Sequence, residues 1–188
     1  MKRKIRVGFD FDGVIAYNPF RVIRYPLWYF KKNILGMEKL SFWYPKHPWQ
    51  QIFWKILHES SIIPANGVDL LRALVSEGKV EAHLVTARYS FLDERLTKWL
   101  KKHNLDNLFT SITNNKNDEQ PHLFKERVVR MGNFDYYIED NLDIVFHLDK
   151  RVKTEVFWIY NLFDRFLYRY KNQFPHLKKA LEAIMQKR

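Results

Sequence analysis

Apolar residues recur along this chain with two different periods. Near the N-terminus, Ile5, Val7, Phe9 and Phe11 alternate with other residues, which predicts a buried β-strand, and Gly13 predicts a turn after it. In the C-terminal two thirds, short segments with this two-residue period alternate with segments of helical period. Strands that alternate with helices are typical of a parallel sheet covered on both faces. The sequence therefore predicts the α/β class, with a three-layer, Rossmann-like parallel sheet.

Four helices and four further strands are predicted in the alternating part of the chain. Pro121 and Gly132 bracket one of the helices and Gly78 follows another, as proline and glycine do at helix ends. In sheets of this kind ligands bind beyond the carboxyl ends of the strands. The helices are predicted over 66–78, 90–104, 121–132 and 142–150, and the strands over 80–87, 108–113, 134–140 and 153–160.

Residues 17–64 interrupt the alternation directly after the first strand. This segment carries 12 of the 31 aromatic residues and five of the seven prolines. Because an insertion at this point would lie over the carboxyl end of the strand, it is predicted to form a small helical cap. The core domain is then predicted to comprise residues 1–16 and 65–164, and a basic C-terminal helix is predicted over 165–188.

The aromatic residues of the cap segment have two interpretations, and the sequence leaves both open. They form either the packed core of a small cap, or rings that line a pocket and stack on a base or cover an apolar substrate. The candidate pocket residues are Trp28, Trp43, Tyr44, Trp49 and Trp54, with Arg21, Arg24 and Lys46 as candidate phosphate contacts.

The net charge of +11 is concentrated in two segments of the chain. Residues 17–64 hold seven lysines and arginines against two acids, and residues 165–188 hold seven against one, so the remainder is neutral. A phosphorylated substrate, a nucleic acid or an anionic membrane surface would suit these basic segments, and solubility alone would also explain them. No obligatory nucleic-acid partner is predicted, and an exposed aromatic cap face would favour a homodimer.

The apolar runs are too short for a membrane span, which needs roughly 18 residues. The basic N-terminus resembles the start of a signal peptide, but Asp10 and Asp12 interrupt the short apolar stretch after it. The absence of cysteine excludes disulfides and thiolate chemistry. These features predict a cytoplasmic protein with no transmembrane segment.

Acidic residues follow two of the predicted strands at the point where each strand ends. Asp10 and Asp12 follow the first strand, and Glu139 and Asp140 close the strand that begins at residue 134. Because the carboxyl ends of parallel strands meet at one edge, these carboxylates are predicted to lie close together. They would repel one another unless a hard cation lies among them, and Mg²⁺ with oxygen ligands fits best. Two further polar side chains are predicted at the same edge, Thr86 and Lys125.

The order of these residues resembles the motif set of the haloacid-dehalogenase (HAD) superfamily of phosphohydrolases. The segments "DFDGV" and "LVTAR", then Lys125, then "IEDN" stand in that superfamily's order, and the resemblance spans residues 5–160. The insertion after the first motif matches the position of that superfamily's small helical cap. A weaker resemblance, on few residues, is to the group that contains the 5′(3′)-deoxyribonucleotidases. The resemblance implies a HAD-type fold and phosphatase activity.

The resemblance also implies a catalytic role for each motif residue. Asp10 would attack phosphorus and form an aspartyl-phosphate. Asp12 would protonate the leaving oxygen and later take a proton from the attacking water. Three residues would contact the substrate phosphate: Thr86 by a hydrogen bond, Lys125 by charge, and Gly13 by allowing the backbone to come close. For Arg88, beside Thr86, the sequence leaves two interpretations open, a contact with the substrate phosphate and an ion pair at the surface.

The same resemblance implies a Mg²⁺ site. Its ligands would be the side chains of Asp10 and Asp140 and the main-chain carbonyl of Asp12. Glu139 stands where the motif often has a second aspartate, and the sequence leaves open whether it contacts the ion directly or through water.

The function predicted from the sequence is a Mg²⁺-dependent phosphomonoester hydrolase that acts on a small phosphorylated substrate. A 5′-nucleotidase is the first prediction for its specificity. The alternative is a phosphatase or phosphomutase for sugar phosphates or other small metabolites. The alternative from another class is a protein that binds nucleic acid or an anionic membrane on a HAD-like fold.

Overall fold

A computed structural model describes residues 3–18, 42, 44–45, 47–59 and 62–187 of the chain. The strands are β1 (Ile5–Phe9), β2 (Ala16–Tyr17), β3 (Ile63–Pro64), β4 (Val80–Tyr89), β5 (Ser111–Asn115), β6 (Tyr136–Glu139), β7 (Glu155–Ile159) and β8 (Gln173–Phe174). The helices are α1 (Pro48–Glu59), α2 (Val68–Ser76), α3 (Asp93–Lys102), α4 (Pro121–Gly132), α5 (Leu142–Asp149), α6 (Leu162–Leu167) and α7 (Leu177–Gln186), with a single 3₁₀ turn over Ser90–Leu92.

The main sheet is parallel throughout, with strand order β5–β4–β1–β6–β7–β8. Successive residues of β7 point to opposite faces, so Phe157 and Ile159 pack with α2, α3 and α7. Val156 and Trp158 pack on the other face with α4 and α5. Apolar side chains therefore cover the sheet on both faces, and the predicted three-layer α/β class is confirmed.

Two short strands, β2 and β3, pair antiparallel beyond the carboxyl end of β1. Tyr17 lies opposite Ile63, and the N–H of Ala65 donates to the carbonyl of Ile15 at 2.8 Å. The two ends of the predicted cap segment thus lie side by side, directly beyond β1. The predicted boundaries of the core, the cap and the C-terminal helix stay predictions.

The strand predicted over 80–87 continues to Tyr89 and contains a bulge. Thr86 pairs with Asn114, whereas Tyr89 pairs with Asn115, so β4 advances three residues while β5 advances one. A bulge of this kind bends the strand and redirects its side chains. The pattern of apolar residues did not reveal it, because the change in register is a property of the pairing with β5.

Two other predicted elements differ from the structure at their bounds. The strand predicted over 108–113 begins only at Ser111, since Phe109 fills the core from the preceding loop. The helix predicted over 90–104 opens with the 3₁₀ turn and becomes α-helical at Asp93. Apolar residues that fill the core from a loop carry the same sequence signal as residues of a strand.

The C-terminal segment contributes to the core. Within the range predicted as a basic helix, β8 extends the main sheet at its edge, and α7 buries Leu177, Leu181 and Ile184. The short strand β8 and the short helix α6 were not predicted. None of the helices in the described part of the chain is long and apolar enough to cross a membrane.

Substitution of Gly67 tests how closely the start of α7 packs against the start of α2. Its backbone has φ of 120°, and a Cβ atom built on it would lie 2.3 Å from the backbone nitrogen of Lys178. We expect Gly67→Ala to lower the free energy of unfolding by about 3 kcal/mol or more, because both the dihedral angle and the backbone contact oppose a side chain. Urea denaturation followed by circular dichroism measures this change.

Gly78→Ala is the matched control. This glycine also has a positive φ, 68°, but its nearest neighbour would be the flexible end of Lys4 at 3.8 Å. The expected loss is about 1–2 kcal/mol, from the left-handed backbone alone. Equal losses in the two variants would contradict the close packing of α7 on α2.

Candidate active site

The carboxyl ends of β1 and β6 bring two acidic segments together. The two strands are paired, with Phe9 opposite Ile138, and the N–H of Asp10 donates to the carbonyl of Ile138 at 2.9 Å. Glu139 is the last residue of β6, and Asp140 follows it. The prediction that these acidic residues meet at one edge of the sheet therefore agrees with the strand pairing.

Asp10, Glu139 and Asp140 form a buried acidic cluster, the only such group of potential metal ligands among the residues that the structure describes. One carboxylate oxygen from each lies within 4.8 Å of the others. The three residues are 6%, 0% and 3% exposed. Buried charges of one sign at this spacing destabilise the fold unless positive charge compensates them.

Lys125 supplies part of that positive charge. Its Nζ lies 2.9 Å from Oδ1 of Asp10 and 2.6 Å from Oε2 of Glu139. Lys125 lies on α4, where Phe124 and Val128 are also buried, and is 3% exposed. Burial alone would lower the pKa of its ammonium group, but the carboxylates of Asp10 and Glu139 outweigh burial and raise it. Lys125 therefore stays charged inside the protein.

The pKa values of the acidic side chains reflect their burial and their mutual repulsion. Burial raises the pKa of the Asp10 carboxyl well above its usual value, and the charge of Glu139 raises it further. Burial also raises the pKa of Glu139, against the opposing effect of Lys125. A divalent cation with oxygen ligands would relieve this repulsion, so the residues present fit a hard metal ion such as Mg²⁺.

Three residues not singled out from the sequence support the acidic cluster. The hydroxyl of Tyr137 lies 3.4 Å from Oε2 of Glu139, and the backbone N–H of Asn141 donates to its Oε1 at 3.1 Å. Trp158 donates from its indole N–H to the carbonyl of Asp140 at 3.2 Å. Tyr137 was accessible to sequence reasoning, since residues two apart in a strand point to the same face. Trp158 was not, because it reaches the site through the pairing of β6 with β7.

Asp12 lies outside the acidic cluster and pairs with Arg88. The Nε of Arg88 donates to Oδ2 of Asp12 at 2.8 Å, and a terminal nitrogen donates to Oδ1 at 2.6 Å. The guanidinium also stands 4.5 Å from the centre of the Phe11 ring. The structure thus places Arg88 on Asp12, and its predicted contact with the substrate phosphate stays a prediction.

Thr86 and Gly13 both form hydrogen bonds with nearby backbone groups. Thr86 is 1% exposed, and its hydroxyl oxygen accepts the backbone N–H of Arg88 at 3.3 Å. Gly13 has φ of 82° and donates its own N–H to the carbonyl of Ala16 at 2.8 Å. Its positive φ forms the turn after Asp12, so Gly13 shapes the backbone there. The predicted roles of both residues in binding phosphate stay predictions.

We compared the chain with known proteins, by sequence and by fold. No known protein-family profile matches the chain, and no curated protein matches it in sequence. Solved structures do match it. A protein from Bacillus subtilis assigned as a HAD hydrolase, solved with bound magnesium, aligns with a TM-score of 0.62 at 14% identity, over 98% of this chain and 100% of its own. The chain has the haloacid-dehalogenase fold.

Other structures with the HAD fold align over nearly the whole chain. A protein from Thermotoga maritima assigned as a β-phosphoglucomutase has a TM-score of 0.59 at 14% identity and covers 97% of this chain and 99% of its own. A haloacid dehalogenase-like hydrolase from Bacteroides fragilis has a TM-score of 0.57 at 12% identity, over 94% and 99%. At these identities the comparison shows a shared fold. In this chain, the acidic cluster lies at the carboxyl edge of the sheet.

Part of the predicted cap segment contacts the loop between β5 and α4. The backbone N–H of Phe42 donates to the side-chain oxygen of Gln120 at 3.2 Å, and the hydroxyl of Tyr44 donates to Asp118 at 3.0 Å. Trp49 is 68% exposed on α1. The other candidate pocket residues lie outside the described residues, or in the case of Trp54 have a side chain that does: Arg21, Arg24, Trp28, Trp43, Lys46 and Trp54.

Removal of Lys125 tests the charge balance of the acidic cluster. We expect Lys125→Met to lower the free energy of unfolding by about 3–5 kcal/mol, because it leaves buried carboxylates without their cation. Lys125→Met combined with Glu139→Gln should recover part of this loss, since the glutamine removes one of the unpaired charges. Urea denaturation in buffer with a chelator measures both variants.

Lys98→Met is the control for the Lys125 experiment. Lys98 forms an exposed ion pair with Glu94 on α3, and the expected change in its unfolding free energy is not measurable. The charge-balance argument fails if Lys125→Met is as stable as Lys98→Met, or if the added Glu139→Gln substitution destabilises the protein further.

Proposed function

We propose that the protein is a Mg²⁺-dependent phosphomonoester hydrolase that acts through an aspartyl-phosphate intermediate. One observation carries the proposal: the carboxylate of Asp10 stands at the end of β1, held by Lys125 and beside Glu139 and Asp140. A nucleophilic carboxylate, a buried cation and further metal ligands suit phosphoryl transfer through an aspartyl-phosphate. The HAD fold supports this assignment by analogy.

Asp10 is the proposed nucleophile. One of its carboxylate oxygens forms a bond to phosphorus as the bond from phosphorus to the ester oxygen breaks, and this produces the aspartyl-phosphate. The ammonium group of Lys125, 2.9 Å from Oδ1, opposes the effect of burial on the pKa of Asp10 and balances charge as the phosphoryl group arrives. Thr86 is proposed to donate a hydrogen bond to that group.

Asp12 is proposed to transfer the protons. In the first step it gives a proton to the departing ester oxygen, which leaves as an alcohol. In the second step it takes a proton from a water molecule whose oxygen attacks phosphorus, so that inorganic phosphate is released and Asp10 is restored. Asp12 suits this role because it follows Asp10 by two residues, just beyond the carboxyl end of β1.

The metal ion would be held by the side chains of Asp10 and Asp140 and the main-chain carbonyl of Asp12. When bound, Mg²⁺ neutralises phosphate oxygens and so reduces their repulsion of the anionic nucleophile. Both oxygens of Glu139 already lie close to protein donors, with Lys125 and Tyr137 at Oε2 and the Asn141 N–H at Oε1. This arrangement favours a contact between Glu139 and the ion through water.

The substrate is proposed to be a small phosphorylated metabolite. A nucleoside monophosphate remains the proposal that follows from the sequence motifs. A sugar phosphate is the second candidate, since one protein of similar fold is assigned as a β-phosphoglucomutase, and a mutase would use the same residues. Cytoplasmic location, a homodimer and independence from nucleic acid stay predictions. Binding to nucleic acid or to an anionic membrane as the sole function would leave the Asp10–Lys125 arrangement without a purpose.

Substitution of the nucleophile tests the proposed chemistry. We expect Asp10→Asn to reduce Mg²⁺-dependent hydrolysis of 4-nitrophenyl phosphate by at least about 1000-fold, because an amide cannot form the acyl-phosphate. A chelator should abolish the wild-type activity, and added Mg²⁺ should restore it. Asp106→Asn, at an exposed position after α3, is the control and should retain full turnover. Wild-type turnover by folded Asp10→Asn protein would rule out the mechanism.

Substitution of Asp12 tests its role in proton transfer. Asp12→Asn should slow hydrolysis of an alkyl ester such as glycerol 2-phosphate by about 100-fold or more, because its leaving oxygen needs a proton. Hydrolysis of 4-nitrophenyl phosphate should be slowed much less in the first chemical step, since nitrophenolate leaves without one. Burst kinetics separate this step from the hydrolysis of the intermediate. Equal slowing of the first step for both esters would contradict the assignment.

A further inference from the structure

The contact between Arg88 and Asp12 restrains the Asp12 carboxylate more than a single hydrogen bond would. Two nitrogen atoms of one planar group bind the two oxygens of one carboxylate, at 2.8 and 2.6 Å. This fork geometry defines the plane of the carboxylate, whereas one point contact would leave it free to rotate. Both side chains are buried, with 4% of Arg88 and 11% of Asp12 exposed. The orientation of Asp12 therefore depends on Arg88.

Arg88 is itself held in place by the fold. It lies in the part of β4 where the register with β5 shifts, between Thr86 and Tyr89. Its guanidinium stands over the Phe11 ring at 4.5 Å, a favourable contact for a cation. Its backbone N–H donates to the hydroxyl oxygen of Thr86. The bulge thus directs the Arg88 side chain toward the turn that carries Asp12.

We propose that Arg88 is a positioning residue, which orients the Asp12 carboxylate for proton transfer to the leaving group. The inference rests on the proposed phosphatase function, and it differs from a role for Arg88 in binding the substrate phosphate. Two features favour positioning. The charge of Arg88 is balanced by Asp12, which weakens its attraction for a phosphate, and Lys125 already provides a cation beside Asp10.

The two roles predict different kinetics, because only proton transfer depends on the leaving group. A residue that orients Asp12 affects the first chemical step only for esters whose leaving oxygen needs a proton, and it leaves substrate binding intact. A residue that binds the phosphate affects every phosphomonoester alike, since all of them share that group. The comparison of an alkyl phosphate with 4-nitrophenyl phosphate therefore separates the two roles.

The experiment measures kcat and KM of Arg88→Gln and Arg88→Lys on glycerol 2-phosphate and 4-nitrophenyl phosphate with Mg²⁺. In Arg88→Gln, we expect kcat for glycerol 2-phosphate to fall about 100-fold. The burst rate with 4-nitrophenyl phosphate, and the concentration of this ester that gives half the maximal burst rate, should stay within about threefold of wild type, and neither KM value should rise. Arg88→Lys keeps the charge but cannot form the two parallel bonds, so it should show the same pattern.

Arg3→Gln is the matched control, because Arg3 pairs with Asp135 at the opposite, amino-terminal edge of the sheet. It should leave kcat and KM unchanged for both esters.

A rise in KM for both esters in Arg88→Gln, with recovery in Arg88→Lys, would assign Arg88 to phosphate binding and overturn the inference. If Arg88→Gln does not fold, the Arg88→Lys pattern decides between the roles. A wild-type protein that hydrolyses no phosphomonoester would instead overturn the proposed function itself, and this inference with it.

Discussion

The bond between Lys125 and the carboxylates of Asp10 and Glu139 is the interaction on which the rest of the site depends. Three buried acids at the junction of β1 and β6 would destabilise the centre of the sheet, and the lysine from α4 offsets part of their repulsion. Carboxylate oxygens held this close together favour a hard metal ion among them. Stability and function are therefore set by the same few atoms.

The position of β1 in the sheet explains how this concentration of charge is tolerated. The strand lies between β4 and β6, and its residues Val7 and Phe9 are completely buried. The pairing of β1 with β6 fixes the positions of the strand ends, and so of the acids that follow them. In β4, by contrast, the pairing is irregular around Arg88, which reaches Asp12 from the bulge. Regular pairing positions Asp10, and irregular pairing directs the arginine.

Sequence reasoning predicted the parts of this arrangement that depend on position along the chain. The two-residue period and the acids after β1 and β6 were sufficient for the α/β class and for the carboxyl-edge cluster, because parallel strands bring their ends together. The pairing of Arg88 with Asp12 and the contact of Trp158 with Asp140 were not predicted, since both depend on lateral register between strands. Likewise, Phe109 fills the core from a loop although its local pattern is that of a strand.

The pairing of β2 with β3 has a consequence for how a protein of this fold can diversify. Because Tyr17 lies opposite Ile63, the chain leaves the core and rejoins it at one point. The entropic cost of closing such a loop grows only slowly with its length. The number of residues between Tyr17 and Ile63 can therefore change at little entropic cost, while the two paired ends keep their place beyond β1. Evolution can revise the length of this segment separately from the acidic residues at the carboxyl edge.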